Sequence, residues 1–183
     1  TTLGVYATDA AGNTGPAATA TVDSAAPNAP TVKPTSGDTI AGTAEAGSVV
    51  TVKDAAGNLI GSATADGNGN YAVKPATPPA HDTALSVTAT DAAGNSSAPA
   101  TAKVDNKAPD APTVKPTSGS TIAGTAEAGS LVTVRDGTGN LVGSATAGSN
   151  GEYAVTPARS LQDGVKISVV ATDAAGNASQ PAT

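Results

Sequence analysis

Apolar and polar residues alternate along several short stretches of the chain, and these stretches are separated by Gly, Pro, Asn and Asp. The clearest case is 84–90, where Leu85, Val87 and Ala89 fall on one face of an extended segment, and 49–54 alternates in the same way. Alternation with a period of two predicts β-strands, and the polar clusters between them predict turns. No apolar stripe of helical period has a useful length, so we expect no helices.

The predicted strands recur with a fixed period of 82 residues, which separates Asp9 from Asp91 and Asp91 from Asp173 within three copies of "ATDAAGN". Self-similarity at a fixed period indicates a tandem array. Residues 1–22 match only the last part of a repeat, so we interpret the chain as a slice of a longer array. The predicted domains are the final two strands of a preceding repeat at 1–22, and complete repeats at 23–104 and 105–183.

Within one repeat the pattern predicts seven short antiparallel strands, which we letter A to G. This number of short strands, separated by turns roughly every 8–12 residues, is typical of an immunoglobulin-like β-sandwich. The expected fold class is therefore all-β, with tandem immunoglobulin-like sandwiches. In the first repeat the predicted strands span 26–34, 39–44, 49–54, 59–65, 71–76, 84–90 and 96–104.

Composition limits how this fold is stabilised and what it binds. The chain has no Phe, Trp, Met or Cys and only three Tyr, so the core must be built from Val, Ile, Leu and Ala, without disulfides. The net charge of −6 argues against nucleic acid as a partner, because nucleic-acid binding requires a basic surface. No segment reads as a membrane span, so membrane insertion is not expected either.

Catalytic chemistry has no recognisable residues here. His81 is the only histidine, and Asp163 takes its place in the second repeat, so we predict an exposed loop residue and not a base or ligand. With one His and no Cys, zinc and thiol chemistry are excluded, and no Ser/His/Asp arrangement is discernible. We predict that the protein is not an enzyme.

Several longer motifs resemble the bacterial immunoglobulin-like repeat of giant biofilm-associated surface adhesins. They are "GTAEAGSVVTVKDAAGNLIGSATADGNGNYAV" followed by "ALSVTATDAAGN", and the linkers "VDSAAPNAP" at 22–30 and "VDNKAPDAP" at 104–112. The resemblance covers the whole chain. It implies an extracellular array at the bacterial cell surface, exported by type I secretion, with Ca²⁺ at the repeat junctions of some members.

The acidic turns are candidates for such junction sites. In an immunoglobulin-type sandwich the B–C, D–E and F–G turns lie at one end, together with the incoming linker, so their oxygens could converge on Ca²⁺. The alternative is local: Asp, Asn and Gly are also the preferred residues of tight turns, which need no ion. The candidate metal ligands are Asp23, Glu45, Asp91 and Asn95 for the first repeat, and Asp105, Glu127, Asp173 and Asn177 for the second.

Three functions compete on this evidence. The leading prediction is that the repeats are structural spacers of a long surface adhesin that supports cell adhesion and biofilm formation, with junctions stiffened by Ca²⁺. The expected partners are then neighbouring repeats of the same chain. The alternatives are a self-associating biofilm module, in which residues 1–22 pair with other copies of the chain, and a glycan-binding module, which would need exposed aromatic rings.

Overall fold

The computed structural model describes residues 2–183, and these residues form strands, turns and loops without any helix. The predicted all-β fold is thereby confirmed. No helix suited to crossing a membrane occurs in this part of the chain. The strands are β1 (Thr2–Val5), β2 (Ala18–Thr21), β3 (Ile40–Thr43), β4 (Val49–Asp54), β5 (Leu59–Thr64), β6 (Asn70–Val73), β7 (Ala84–Thr90), β8 (Ala100–Lys103), β9 (Ile122–Thr125), β10 (Leu131–Asp136), β11 (Leu141–Thr146), β12 (Glu152–Val155) and β13 (Ile167–Thr172).

The first repeat contains a four-stranded sheet with the order β5-β4-β7-β8 and a two-stranded sheet that pairs β3 with β6. β4 and β7 have the predicted bounds, because apolar and polar residues alternate along most of each stretch, at 50–53 and 85–90. Their core-facing apolar side chains are fully buried: Val50 and Val52 in β4, and Leu85, Val87 and Ala89 in β7. Two facing sheets are the arrangement expected of a sandwich.

The second repeat has the same strand pairings, except that its larger sheet has three strands, with no counterpart of β8 among the described residues. The sheet order is β11-β10-β13, and β12 pairs with β9. The pairing of β10 with β11 shifts register between Val134 and Arg135, as the pairing of β4 with β5 does between Val52 and Lys53. The core of this repeat consists of small and medium apolar side chains and one tyrosine, namely Ile122, Val132, Val134, Ala147, Tyr153, Val155 and Val169.

Three predicted strands differ from the observed ones by more than one residue at an end, and proline explains each difference. Residues 26–34 form no regular strand, because Pro27, Pro30 and Pro34 lack an N–H for a ladder. Only Thr31 makes a strand-like contact there, donating its N–H to the Thr43 carbonyl at 2.8 Å. The strands predicted at 71–76 and 96–104 are reduced to β6 and β8 by Pro75 and Pro99.

Residues 2–21 form a separate two-stranded hairpin, β1 with β2, in which Leu3 pairs with Ala20 and Val5 with Ala18. Leu3 and Val5 stand 82 residues before Leu85 and Val87, which are fully buried. In the hairpin the same positions are 51% and 64% exposed. This hairpin therefore presents a face that the complete repeats use as core.

Two compact units can be distinguished in the chain, and their division does not follow the sequence period. The linker after Val104 and the first-repeat loops at 33–40 and 74–85 belong to the same unit as the second repeat. Unit 1 comprises Thr1–Val32, Ala41–Val73 and Ser86–Thr101, and unit 2 comprises Lys33–Ile40, Lys74–Leu85 and Ala102–Thr183.

Candidate functional site

Six turns share the pattern Asp-x-x-Gly-Asn and one hydrogen-bond scheme. At Asp91, one carboxylate oxygen accepts from the backbone N–H groups of Ala93 and Asn95, each at 2.9 Å, and the other accepts from the Asn95 side-chain amide at 2.8 Å. Gly94 takes the positive φ of 91° that the turn requires. The turns begin at Asp9, Asp54, Asp66, Asp91, Asp136 and Asp173.

These donors also lower the pKa of the carboxyl groups of Asp91 and Asp136. The Asn95 side-chain amide, followed by backbone N–H groups of the turn, holds the pKa of Asp91 below its ordinary value. In the turn at Asp136, the Thr138 hydroxyl donates at 2.6 Å and is the main cause that lowers the pKa of Asp136 to about 2. Local turn chemistry thus accounts for the Asp and Asn of the repeated motif without an ion.

In two of the six turns, the asparagine side chain also bonds a residue outside the turn. The Asn95 amide also donates to the carbonyl of Asp23 at 3.2 Å, and the Asn177 amide donates to the carbonyl of Asp105 at 2.7 Å. Both acceptors lie in linkers, 72 residues before the donor. The asparagines of the other four turns make only local side-chain bonds within the described residues. In the two complete repeats, the F–G turn therefore contacts the linker.

Asp105 is the most connected residue of the linker within unit 2. Its N–H donates to the Thr35 carbonyl at 2.9 Å, while its carbonyl accepts from Asn177. Its carboxylate accepts from the Lys107 N–H at 3.2 Å and lies 3.4 Å from Nδ1 of His81. Both backbone groups of the linker residue are thus held by different loops of unit 2.

His81 contributes to this linker site, which the sequence did not indicate. It is exposed, as predicted, yet its Nδ1 accepts from the Asn106 N–H at 3.3 Å. Nearby, Lys103 and Asp82 form an ion pair at 2.8 Å, and Lys103, with His81, lowers the pKa of the Asp82 carboxyl. Because Asp163 and Gly164 replace His81 and Asp82 in the second repeat, this cluster occurs once in the chain.

The structure brings the candidate ligands of the second repeat close together. Asp105, Glu127 and Asp173 line one pocket of about 190 Å³ within unit 2, which Lys103 also lines. Asn177 binds both Asp173 and the Asp105 carbonyl at its edge. Within residues 2–183, however, no three acidic or histidine side chains converge closely enough to hold a metal ion.

The candidate ligands of the first repeat are less closely grouped. Asn95 joins Asp91 to the Asp23 carbonyl, whereas Glu45 lines a different surface pocket, together with Asn28 and Thr31. Carboxylate and amide oxygens are the right ligand types for Ca²⁺. Both oxygens of Asp91 already accept hydrogen bonds from the turn, so an ion at this position would compete with the turn's own N–H groups.

The tyrosines offer little to a glycan. Tyr71 and Tyr153 are buried, and their hydroxyls donate to the carbonyls of Thr31 at 2.7 Å and Thr113 at 2.8 Å. Burial raises the pKa of Tyr71 to about 12. Sugar stacking requires an exposed ring, and only Tyr6 among the three presents one. The tyrosines of the repeats are structural anchors for the segment that follows the linker.

Comparison with known proteins gives a family match to the bacterial Ig domain over residues 26–106 and again over 108–183. No curated protein matched the chain. Among solved structures, fibronectin domains FN1–FN3 of chicken CNTN1 are 18% identical over all of this chain and 75% of theirs, with a TM-score of 0.52. That likeness shows a sandwich fold shared with fibronectin domains.

Two further solved structures are similar at lower TM-scores. A biofilm associated protein, in its BSP domain, is 22% identical over 85% of this chain, with a TM-score of 0.40. The chain spans only 28% of the length of that structure. Fibronectin(III)-like modules of Clostridium thermocellum CbhA are also 22% identical, over 88% of this chain and 90% of theirs, with a TM-score of 0.42.

Proposed function

The chain belongs to the bacterial Ig domain family, and from this premise we propose that it supplies structural spacer repeats of a bacterial cell-surface adhesin. Such repeats hold an adhesive region away from the cell and transmit force along the chain. They need folded units and linkers that do not hinge freely, and they need no catalytic group. The protein is then an extracellular structural module and not an enzyme.

The observation that carries this proposal is the linker residue Asp105. Its N–H and its carbonyl are both held, by Thr35 and by the Asn177 side chain respectively. In a flexible linker, the backbone N–H and carbonyl groups would be hydrogen-bonded to water instead. Holding the backbone of the linker on both sides favours a mechanical role, because tension along the chain must pass through this residue.

Stretching single molecules tests the spacer function. Two independent unfolding events are expected, and they lengthen the repeats at 23–104 and 105–183 by at most about 270–295 Å and about 260–285 Å respectively. Independent events follow because each repeat has its own core of buried Val, Ile and Leu. Gradual extension without discrete events, at forces that unfold fibronectin domains used as a control, would contradict the proposal.

We further propose that Ca²⁺ binds the pocket lined by Asp105, Glu127 and Asp173. Three carboxylates around one pocket supply the oxygen chemistry that Ca²⁺ prefers, and binding would require these side chains to move closer together. The ion would neutralise charge that otherwise repels across the pocket. Its binding would stabilise the linker in addition to the hydrogen bond from Asn177, and the turn would stay folded without it.

The variant Asn177→Asp distinguishes stabilisation by a bound ion from stabilisation by the Asn177 amide at this site. Without Ca²⁺, Asn177→Asp removes the donor to Asp105 and adds a charge beside Asp173, so the melting temperature is expected to fall. With Ca²⁺ at a hundred times its dissociation constant, binding restores about 2.7 kcal/mol. Asn140→Asp is the matched control, because that turn makes no linker contact. If Ca²⁺ leaves the melting temperatures of the wild type, Asn177→Asp and Asn140→Asp unchanged, Ca²⁺ binding is excluded and the spacer proposal still stands.

A further inference from the structure

Asparagine precedes glycine at two equivalent places in the repeats. Asn68 is followed by Gly69 in the first repeat, and Asn150 is followed by Gly151 in the second. Both pairs lie in the turn that leads into β6 or β12, with the asparagine exposed and the glycine buried. Glycine has no Cβ to shield its backbone nitrogen, so this nitrogen can closely approach the side-chain carbonyl carbon of the preceding asparagine. The two turns are therefore candidate sites for a spontaneous covalent modification.

The fold requires glycine at the second position of each pair. Gly69 has a φ of 80° and Gly151 has a φ of 79°, which residues with a side chain rarely adopt. A Cβ on Gly69 would lie 2.6 Å from the Ala44 carbonyl oxygen, and a Cβ on Gly151 would lie 2.9 Å from the Ala126 carbonyl oxygen. The packing of this turn therefore keeps a glycine behind each asparagine.

The glycine nitrogens of the two turns are held in the same way. Gly69 donates its N–H to the Asp66 carbonyl at 2.8 Å, and Gly151 donates its N–H to the Gly148 carbonyl at 2.8 Å. This hydrogen bond must open before the nitrogen can turn toward the asparagine side chain. Because the bond is alike in the two turns, a difference in reactivity has to come from the asparagine.

The asparagine side chains of the two turns are held differently. Oδ1 of Asn150 accepts from the Glu152 N–H at 3.1 Å, and the Asn150 amide donates to the Glu152 carboxylate at 2.8 Å. Within the described residues the Asn68 side chain makes no hydrogen bond, and only its backbone N–H bonds the Asp66 carboxylate. The counterpart of Glu152 is Asn70, whose amide lies 3.4 Å from the Asp66 carboxylate. The Asn68 side chain is therefore free to rotate toward the nitrogen of the next residue.

We propose that Asn68 deamidates spontaneously in the folded protein, whereas the contacts with Glu152 protect Asn150. The Gly69 nitrogen attacks Cγ of Asn68 and forms an N–Cγ bond, the bond from Cγ to Nδ2 breaks, and the proton of the Gly69 N–H leaves with the amide as ammonia. Water then opens the cyclic imide. Opening at Cγ gives aspartate, and opening at the backbone carbonyl carbon gives isoaspartate. The reaction does not depend on the spacer function.

Isoaspartate at position 68 would disturb the turn, because the CH₂ of the side chain becomes part of the main chain and lengthens it. Gly69 is fixed on both sides, since its N–H donates to the Asp66 carbonyl and its carbonyl accepts from the Ala44 N–H at 2.8 Å. The longer main chain cannot keep both bonds in the same geometry. The melting temperature of the first repeat is therefore expected to fall by roughly 4–8 °C for each bond that is lost.

Peptide mass spectrometry of the folded protein, kept in mildly alkaline buffer, follows the conversion of amide to acid at each asparagine. Conversion at Asn68 is expected to be roughly tenfold faster than at Asn150, whose two side-chain hydrogen bonds must break first. Glu152→Ala removes the carboxylate contact and is expected to raise the rate at Asn150 several-fold without changing the rate at Asn68. In concentrated urea, where both turns are unfolded, the two rates are expected to converge.

Two variants connect the modification to the loss of stability. Asn68→Gln has a longer side chain that does not readily form the same imide, so its melting temperature is expected to stay unchanged during an incubation that lowers that of the wild type. Asn68→Asp carries the charge of the product without the longer main chain, and it is expected to melt as the fresh wild type does. An equal fall in Asn68→Gln and in the wild type would contradict the expected consequence.

Three results would overturn the proposal itself. The first is equal conversion of Asn68 and Asn150 in the folded protein. The second is an Asn68 that converts in urea but not in the folded protein. The third is a Glu152→Ala variant in which Asn150 reacts no faster than in the wild type, because the hydrogen bonds of Glu152 would then not protect it.

Discussion

Gly42→Ala is expected to destabilise the first repeat by about 3 kcal/mol. A Cβ on Gly42 would overlap the Thr31 carbonyl oxygen and come within 2.9 Å of the Tyr71 hydroxyl. That hydroxyl donates to the same carbonyl at 2.7 Å. Backbone on one side and a buried ring on the other leave no flexible atom to move, so the substitution must separate Thr31 from β3.

Thermal unfolding measures this effect. For a domain of this size, about 3 kcal/mol corresponds to a fall in melting temperature of roughly 12–24 °C. Gly124→Ala is expected to do the same to the second repeat, where Thr113 and Tyr153 take the places of Thr31 and Tyr71. Gly67→Ala is the control, because nothing lies within 4 Å of its added Cβ. Similar melting temperatures for Gly42→Ala and Gly67→Ala would refute the close packing.

The sequence predicted the fold well where local pattern decides it. The bounds of β4 and β7 follow from alternation, since every second residue from Val50 and from Leu85 faces the core as far as Val52 and Ala89. The close packing at Gly42 could not be predicted, because its neighbour Thr31 is distant in sequence and is brought to it by tertiary folding. The prolines of 26–34 were visible, yet the residual contact of Thr31 with Thr43 depends on tertiary packing.

The candidate site was predicted less completely. Strand order correctly suggested that the F–G turn lies beside the linker, and Asn95 and Asn177 do contact Asp23 and Asp105. The shared motif does not separate these two turns from the other four, which have nearly the same sequence, and it was the predicted strand order that singled out Asn95 and Asn177. The contact of His81 with the linker could not be predicted either, because its partner Asn106 lies 25 residues later in the chain.

Val104→Asp is expected to release the linker and to cost about 3–4 kcal/mol, since it places a carboxylate where almost no water reaches. The side chain at this position packs against the loop that holds Gly37, since a Cβ built on Gly37 would lie 3.1 Å from it. The backbone bonds of Val104 and Asp105 to Thr83 and Thr35 would be lost with it.

Amide hydrogen exchange resolves this loss at the linker itself. Because each 1.4 kcal/mol is a factor of ten, exchange at the Val104 and Asp105 N–H groups is expected to accelerate by roughly 100-fold or more. Val22→Asp is the matched control at low protein concentration, because Val22 has the same sequence context but is exposed. Equal exchange rates in the two variants would show that burial of Val104 does not fix the linker. If exchange is faster in Val104→Asp than in Val22→Asp, as we expect, burial of the Val104 side chain in the core of the first repeat is what fixes the linker that follows it.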